Sequence, residues 1–139
     1  MNYTVIDTGN SRSFSRDHAL LAGCRPEGEV VILMGSGAGA ALPTVCEQDS
    51  RAAILVELDF NCLGVHTGES GGKEGSNVLG FARFRLGSAD PSDLVELVRQ
   101  PATRQNAISA AKSVFEAVGL EVAVCSDFAG RTGSGSLII

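Results

Sequence analysis

The sequence predicts a single α/β domain in which helices flank a mostly parallel β-sheet. Its 139 residues suffice for one ordinary domain core. Short apolar runs bounded by glycine are typical of strands buried on both faces of a parallel sheet. These runs alternate with helical segments, as right-handed crossovers between parallel strands require. We assign residues 1–131 to this domain and expect residues 132–139 to form a flexible C-terminal tail.

The first third of the chain contains two predicted strands. Tyr3 to Asp7 is short and β-branched, which favours an edge or first strand. Residues 11–28 are polar and irregular, so we expect a loop with no more than one helical turn. Glu29 to Met34 is apolar from Val30 onwards and lies between two glycines, which indicates a central strand covered on both faces.

The middle of the chain continues the alternation. Ala40 to Gln48 is compatible with a short helix, although Pro43 fits only the first turn of a helix. Ala52 to Leu58 predicts a second buried strand, and Val78 to Phe84 predicts another. The glycine-rich segment between them, His66 to Asn77, has the composition of a surface loop.

The last part of the chain contains the best predicted helix. A turn at Asp90-Pro91-Ser92 precedes an apolar strand from Asp93 to Val98. Thr103 is the predicted N-cap of the helix and Gly119 its C′ residue, and Glu121 to Cys125 forms the last strand. The apolar residues of the helix share one stripe: Ala107, Ile108, Ala111, Val114, Phe115 and Val118.

Composition disfavours several classes of function. A net charge of −5 and a pI near 4.9 describe a surface that repels phosphate backbones, so we expect no nucleic-acid partner. No apolar run could span a bilayer and the N-terminus lacks a leader pattern, so we expect no membrane association and a cytoplasmic location. The cysteines lack zinc-site spacing, so we expect no metal and interpret them as small buried residues: Cys24, Cys46, Cys62 and Cys125.

A glycine motif follows the predicted central strand. Residues 35–40 read G-S-G-A-G-A, which fits the dinucleotide fingerprint G-x-G-x-x-A between a strand and a helix. In that arrangement glycines let the backbone approach a pyrophosphate, and a carboxylate after the next strand meets a ribose hydroxyl. This pattern predicts an NAD-type site with Gly35, Gly37, Ala40 and Glu57 as cofactor-binding residues and Asp59 nearby. The alternative is a structural turn without a ligand.

A second glycine cluster, residues 68–75, is not predicted to bind phosphate. It contains Gly72-Lys73, but Thr67 replaces the first glycine of a phosphate loop. Glu74 replaces the hydroxyl residue that would reach magnesium. We therefore interpret this cluster as a surface loop.

Residues 78–131 resemble the end of the NAD-binding domain of the 3-hydroxyacyl-CoA dehydrogenase family. The resemblance rests on the segment N-V-L-G-F from residue 77, L-V-E-L-V-R-Q-P-A-T from residue 94, and V-A-V-C-S-D-F-A-G-R from residue 122. It implies a Rossmann-like fold, NAD as cofactor, and a role in fatty acid metabolism. If the resemblance extends back to Glu29, the glycine motif follows the family's fourth strand and not its first.

The resemblance also implies which catalytic residues are present. The family uses a histidine as general base and a glutamate that polarises it. Glu96 matches that glutamate and is the catalytic candidate, whereas Ala82 occupies the place of the histidine. The alternative for Glu96 is an ordinary carboxylate in a strand. The two histidines of the chain, His18 and His66, lack matching partners, and we expect them to face solvent.

Two further family features have no counterpart in the sequence. The N-T-S-S motif, whose serine contacts substrate, is replaced by L-D-F-N-C at residues 58–62. The family's helical C-terminal domain, which completes the site and the dimer, does not follow residue 131. Oxidation of a 3-hydroxyacyl-CoA would therefore need groups from elsewhere.

Three functional hypotheses follow from these observations. The first is a Rossmann-like binding or assembly module that is inactive alone and binds a dinucleotide or an acyl-CoA. The second is the nucleotide-binding part of an active NAD-dependent dehydrogenase, with a helical domain supplied separately. The third is a structural homo-oligomer in which pairing covers exposed apolar surface.

Overall fold

The computed structural model describes residues 2–46, 52–58, 77–84, 92–99 and 103–126. Every predicted strand and helix is present, and each end lies within two residues of its predicted position. The strands are β1 (Tyr3–Asp7), β2 (Val30–Met34), β3 (Ala53–Glu57), β4 (Val78–Arg83), β5 (Leu94–Arg99) and β6 (Glu121–Ser126). The helices are α1 (Ala19–Ala22), α2 (Ala38–Cys46) and α3 (Gln105–Ala117).

The six strands form one sheet in the order β1-β2-β3-β4-β5-β6. Strands β1 to β4 are parallel, β5 is antiparallel to β4, and β6 is parallel to β5. The predicted Rossmann-like α/β fold with a mostly parallel sheet is confirmed. The last residues of the first four strands, Asp7, Met34, Glu57 and Arg83, lie at one end of the sheet, which we call the carboxyl edge.

The two faces of the sheet have separate apolar cores, which explains the continuous apolar runs. In β2, Ile32 packs into the core on one face and Leu33 into the core on the other. Residues of α3, including Phe115, belong to the first core, and Leu42 of α2 belongs to the second. Every residue of β2 and β3 is buried as a result.

The antiparallel pair follows from the short connection between β4 and β5. A parallel neighbour needs a crossover of a dozen or more residues, and fewer separate Arg83 from Leu94. Ser92 closes the connection by donating its N–H and its hydroxyl to the carbonyl of Phe84, at 2.8 Å and 2.9 Å. The turn predicted around this residue is therefore consistent with the reversal of direction.

The predicted caps of α3 are half correct. Gly119 has a φ of +87° and follows the C-cap Val118, as predicted. The N-cap prediction was wrong, because Arg104 holds that position with extended backbone and without a side-chain cap bond. Thr103 is buried one residue earlier, where its hydroxyl cannot serve as the cap of a helix that begins at Gln105.

Two other local predictions need correction. Helix α2 begins at Ala38, two residues before the predicted start, so Pro43 lies inside the helix and not in its first turn. Cys24 was expected to be buried, but it is exposed because it follows the single turn of α1 at the surface. Cys125 is half-buried.

Several predictions fall outside the described residues. These are Asp59, Cys62, His66, the glycine cluster 68–75, most of the turn at 90–92 and the tail 132–139. Within the described ranges, no helix is long and apolar enough to cross a membrane. The same part of the chain holds no group of three or more His, Cys, Asp or Glu residues that could bind a metal ion.

Candidate functional site

The glycine loop between β2 and α2 packs directly on the end of β1. Gly35 has a φ of +95°, which L-residues rarely adopt. A Cβ at this position would clash with the carbonyl oxygen of Gly9 and would lie 2.6 Å from Oγ1 of Thr8. Gly35 is therefore required by the close approach of two backbone segments of the chain itself.

The N–H groups of this loop donate to atoms of the protein. The N–H of Ser36 donates to the carbonyl of Gly9 at 2.9 Å, and the N–H of Gly37 donates to Oγ1 of Thr8 at 2.9 Å. The N–H of Ala38 donates to the carbonyl of Gly35 at 3.2 Å. These are the groups that would hold a pyrophosphate in a dinucleotide site, and here internal acceptors occupy them.

The fourth donor of the loop binds the buried carboxylate at the end of β3. Oε1 of Glu57 accepts the N–H of Gly35 at 2.9 Å and the hydroxyl of Ser11 at 2.7 Å. Oε2 accepts the N–H of Arg12 at 3.0 Å. Glu57 is only 8% exposed, so these three donors replace the solvation that burial removes.

Ser11 and Arg12 belong to the β1–α1 connection, which we define as residues 8–18. This segment crosses the carboxyl edge from β1 towards β4. Oγ of Ser11 also accepts the N–H groups of Ser13 and Phe14, both at 3.2 Å. The Ser11 hydroxyl thus orders the connection and at the same time binds Glu57.

An aromatic side chain fixes the far end of the connection. Phe14 is 3% exposed and stacks on Phe115, with ring centroids 6.0 Å apart. Its ring also lies 6.2 Å from that of Phe81 in β4. The guanidinium of Arg83 lies 5.2 Å from the Phe14 centroid and donates to the carbonyl of Ser13 at 3.3 Å. The connection is therefore docked onto both β3 and β4.

His18 has a structural role at the end of the connection. Its Nδ1 accepts the N–H of Leu20 at 3.0 Å and so caps α1. Its ring meets the edge of Phe14 at 4.8 Å. Burial lowers the pKa of His18, and the positive charge of Arg83 lowers it further. This packing leaves His18 half-buried, so it is only partly exposed to the solvent that the sequence predicted it to face.

Glu96 and Ala82 lie directly opposite each other in the antiparallel pair of β4 and β5. Glu96 has no exposed surface and Ala82 is also buried. Directly opposed residues have Cβ atoms about 5 Å apart and point to the same face. The two positions that the sequence matched to a glutamate and its histidine are therefore neighbours, and the second holds a methyl group.

The structure divides the predicted site residues into two groups. Gly35 and Glu57 contact each other, and Gly37 and Ala40 belong to the same loop and helix start. Glu96 lies two strands from Glu57 and, by the alternation of side chains, on the other face of the sheet. The catalytic and cofactor assignments themselves stay predictions.

Sequence reasoning missed Thr8 and Ser11, which complete the glycine-loop cluster. A usable signal was present, because both residues follow the first predicted strand of a parallel sheet. The carboxyl ends of parallel strands share one edge, so polar side chains after β1 are expected near those after β2 and β3.

Solved structures similar in fold to this chain include several dehydrogenases. The chain matches 3-hydroxybutyryl-CoA dehydrogenase from Escherichia coli with a TM-score of 0.57 and 17% identity, over 75% of this chain and 22% of that one. It matches 3-hydroxyacyl-CoA dehydrogenase from Archaeoglobus fulgidus with a TM-score of 0.55 and 14% identity, over 74% and 36%. At this level of identity, these two similarities show the fold of the chain alone.

A third match extends the fold to a different substrate. It is a dehydrogenase of a formyl-hydroxy-methylpyridine carboxylic acid, described as an NAD+-dependent dismutase, with a TM-score of 0.53 and 13% identity over 76% of this chain and 35% of that one. This chain thus spans about a fifth to a third of the length of the three structures. No model of a known protein family matches it, and no curated protein does.

Proposed function

We propose that this chain is a dehydrogenase-fold binding module of the cytoplasm that does not transfer hydride by itself. The observation that carries the proposal is the cross-strand pair of Glu96 and Ala82. A methyl group cannot accept the proton of a 3-hydroxyl, and removing a general base costs typically 10²- to 10⁴-fold in rate. Glu96 matches the carboxylate of the expected dyad, and Ala82 supplies no imidazole at the paired position.

The ligand classes we propose are a dinucleotide and an acyl-CoA. Support comes from the fold, which this chain shares with 3-hydroxyacyl-CoA and 3-hydroxybutyryl-CoA dehydrogenases and with an NAD+-dependent enzyme. The contacts of the glycine loop favour the structural-turn alternative for residues 35–38, since their N–H groups are already bonded. We therefore expect NADH to bind more weakly than acetoacetyl-CoA.

Calorimetric titration of the purified chain with acetoacetyl-CoA and with NADH tests this proposal. We expect saturable heat with acetoacetyl-CoA and no consumption of NADH when both ligands are present. Turnover would contradict the loss of catalysis. Absence of heat with both ligands would contradict the binding role.

A second candidate is the nucleotide-binding part of an active 3-hydroxyacyl-CoA dehydrogenase whose base comes from a separate helical domain. The buried carboxylate of Glu96, opposite the place of the base, favours it. In that case a partner domain would restore NADH consumption, and Glu96→Gln would abolish it again. If no helical domain that is supplied restores NADH consumption, this candidate is ruled out.

Self-association is a further proposal for the same chain. Ile6 of β1 and Val124 of β6 are exposed large hydrophobic residues, and they lie on the two outer strands of the described sheet. Exposed apolar residues on outer strands favour pairing. Light scattering would show a homo-oligomer if this surface pairs, and a monomer if it does not.

A further inference from the structure

The carboxylate of Glu57 sits in a cradle of three donors that come from two separate loops. The donors are the N–H of Gly35, the hydroxyl of Ser11 and the N–H of Arg12, at 2.9, 2.7 and 3.0 Å. Convergent hydrogen bonds to a charged oxygen are among the stronger ones in proteins. The cradle therefore has the composition of an anion site, and it is occupied by a side chain of the same protein.

Burial makes this contact different from an ordinary surface hydrogen bond. More than nine-tenths of Glu57 is excluded from solvent, so its carboxylate depends on the three donors for its solvation. The N–H of Gly35 is itself buried and depends on the carboxylate in turn, because a buried N–H without an acceptor is costly. Removing the carboxylate leaves the Gly35 N–H without its acceptor, and removing the donors leaves the carboxylate without its hydrogen bonds.

Further hydrogen bonds to the Ser11 hydroxyl strengthen the bond that it donates to Glu57. It accepts the N–H groups of Ser13 and Phe14 while it donates to Oε1 of Glu57. Hydrogen bonds arranged in series polarise one another. This arrangement fixes the Ser11 proton on the side of the anion.

We propose that Gly35, Ser11 and Arg12 form an anion site whose resident ligand is the Glu57 carboxylate. This internal ligand keeps external carboxylate and phosphate groups away from the glycine loop. It also joins the β1–α1 connection to β3. The inference does not depend on the proposed function, since it concerns three protein donors and one acceptor.

Chemical rescue tests the site directly. Glu57→Ala removes the carboxylate and leaves space for a small anion, and we expect its Tm to fall by about 5–10 °C. Formate should restore at least half of that loss with a saturable dependence, at constant ionic strength set with chloride. Wild-type protein should show no saturable response to formate.

Two matched variants separate the site from a general salt effect. Glu57→Gln keeps the side-chain volume, so it should be destabilised but should not respond to formate. Glu116→Ala removes the same charge at an exposed position of α3 and should behave as wild type. Equal formate shifts in all variants, or a Glu57→Ala Tm no lower than that of Glu116→Ala, would overturn the proposal.

A double-mutant cycle covers the case in which Glu57→Ala does not fold. Ser11→Ala and Glu57→Gln each remove part of the contact, and their combined Tm loss should be clearly smaller than the sum of the two single losses. Additive losses would overturn the proposal. Inorganic phosphate is a second probe of Glu57→Ala that distinguishes the ligand classes. A rise in Tm with phosphate would show that the site also accepts phosphoryl groups, and an unchanged Tm would limit the site to carboxylates.

Discussion

The glycine loop and the β4–β5 pair differ in how well a sequence motif predicts the contacts that its residues make. The glycine loop has the spacing of a dinucleotide site, yet the N–H groups of residues 35–38 donate to internal acceptors. The β4–β5 pair has an alanine where the family resemblance predicts a histidine, yet Ala82 and Glu96 occupy directly opposed positions. A motif thus indicates where the backbone turns, whereas chemistry depends on what its donors and acceptors already contact.

The largest predicted effect is a loss of stability when the contact between the β1–α1 connection and the core is removed. Phe14→Ala removes a ring that is 3% exposed and packs on Phe81 and Phe115. We expect a loss of about 3–5 kcal/mol in the free energy of unfolding, measured with urea. Hydrogen exchange should also accelerate at Arg12, because the connection loses its anchor. A loss below about 1 kcal/mol would show that Phe14 does not dock this segment.

A pair of glycine variants sharpens the comparison at the loop itself. Gly35→Ala forces a Cβ into the backbone of Gly9 at positive φ, and we expect a loss of about 2–4 kcal/mol. Gly119→Ala imposes the same unfavourable φ with no atom within 4 Å of the new Cβ, so about 1 kcal/mol is expected. Urea unfolding measures both. Equal losses would mean that close packing on β1 contributes nothing.

The β4–β5 pair is tested by restoring an imidazole. In Ala82→His, NMR titration should give a higher pKa for the introduced ring when Glu96 is present than in the Glu96→Gln background, because a neighbouring carboxylate stabilises the charged form. The expected difference is about one pKa unit. The buried position should make both proteins less stable by about 1–3 kcal/mol. An identical pKa in the two backgrounds would show that the positions do not interact.

The smallest predicted effect concerns the cap at the end of the connection. The pKa of His18 is lowered by burial and by Arg83, so the folded state binds fewer protons than the unfolded state between the two pKa values. Its contribution is present above the unfolded pKa, near 6.5, and is lost as the pH falls through the folded pKa. His18→Asn should keep a cap and remove this part of the Tm dependence on pH.

The second histidine of the chain supplies the matched control. Because the sequence predicts that His66 faces solvent, His66→Asn should leave the pH dependence of Tm between roughly pH 5 and 7 as it is in wild type. If His18→Asn and His66→Asn give the same profile, His18 is not the titrating group.

Local patterns predicted most of the fold because they report burial directly. The continuous apolar run of β2 reflects two cores, one on each face of the sheet, and Gly119 marks the end of α3 as its φ requires. The N-cap of α3 was misplaced by one residue, since Thr103 is buried and Arg104 caps the helix without a side-chain bond. Cap position depends on tertiary packing that the local sequence does not record.

The candidate site was predictable only in part, because its contacts are distant in sequence. Glu57 was expected near the glycine loop, and the parallel sheet places it there. Its bonds to Ser11 and Arg12 span 46 and 45 residues, and no local pattern specifies such a pairing. The family resemblance implied that Ala82 and Glu96 lie close together. Only the structure shows that they are directly paired across β4 and β5.

The central proposal is that the chain alone transfers no hydride, because the residue paired with Glu96 across the strands is an alanine. The most direct test incubates purified wild-type protein with acetoacetyl-CoA and NADH that carries deuterium at the transferable position, followed by mass spectrometry of the CoA product. We predict no deuterated 3-hydroxybutyryl-CoA above the protein-free reaction. Deuterated product that accumulates in proportion to protein concentration, and that is lost in Glu96→Gln, would contradict the account.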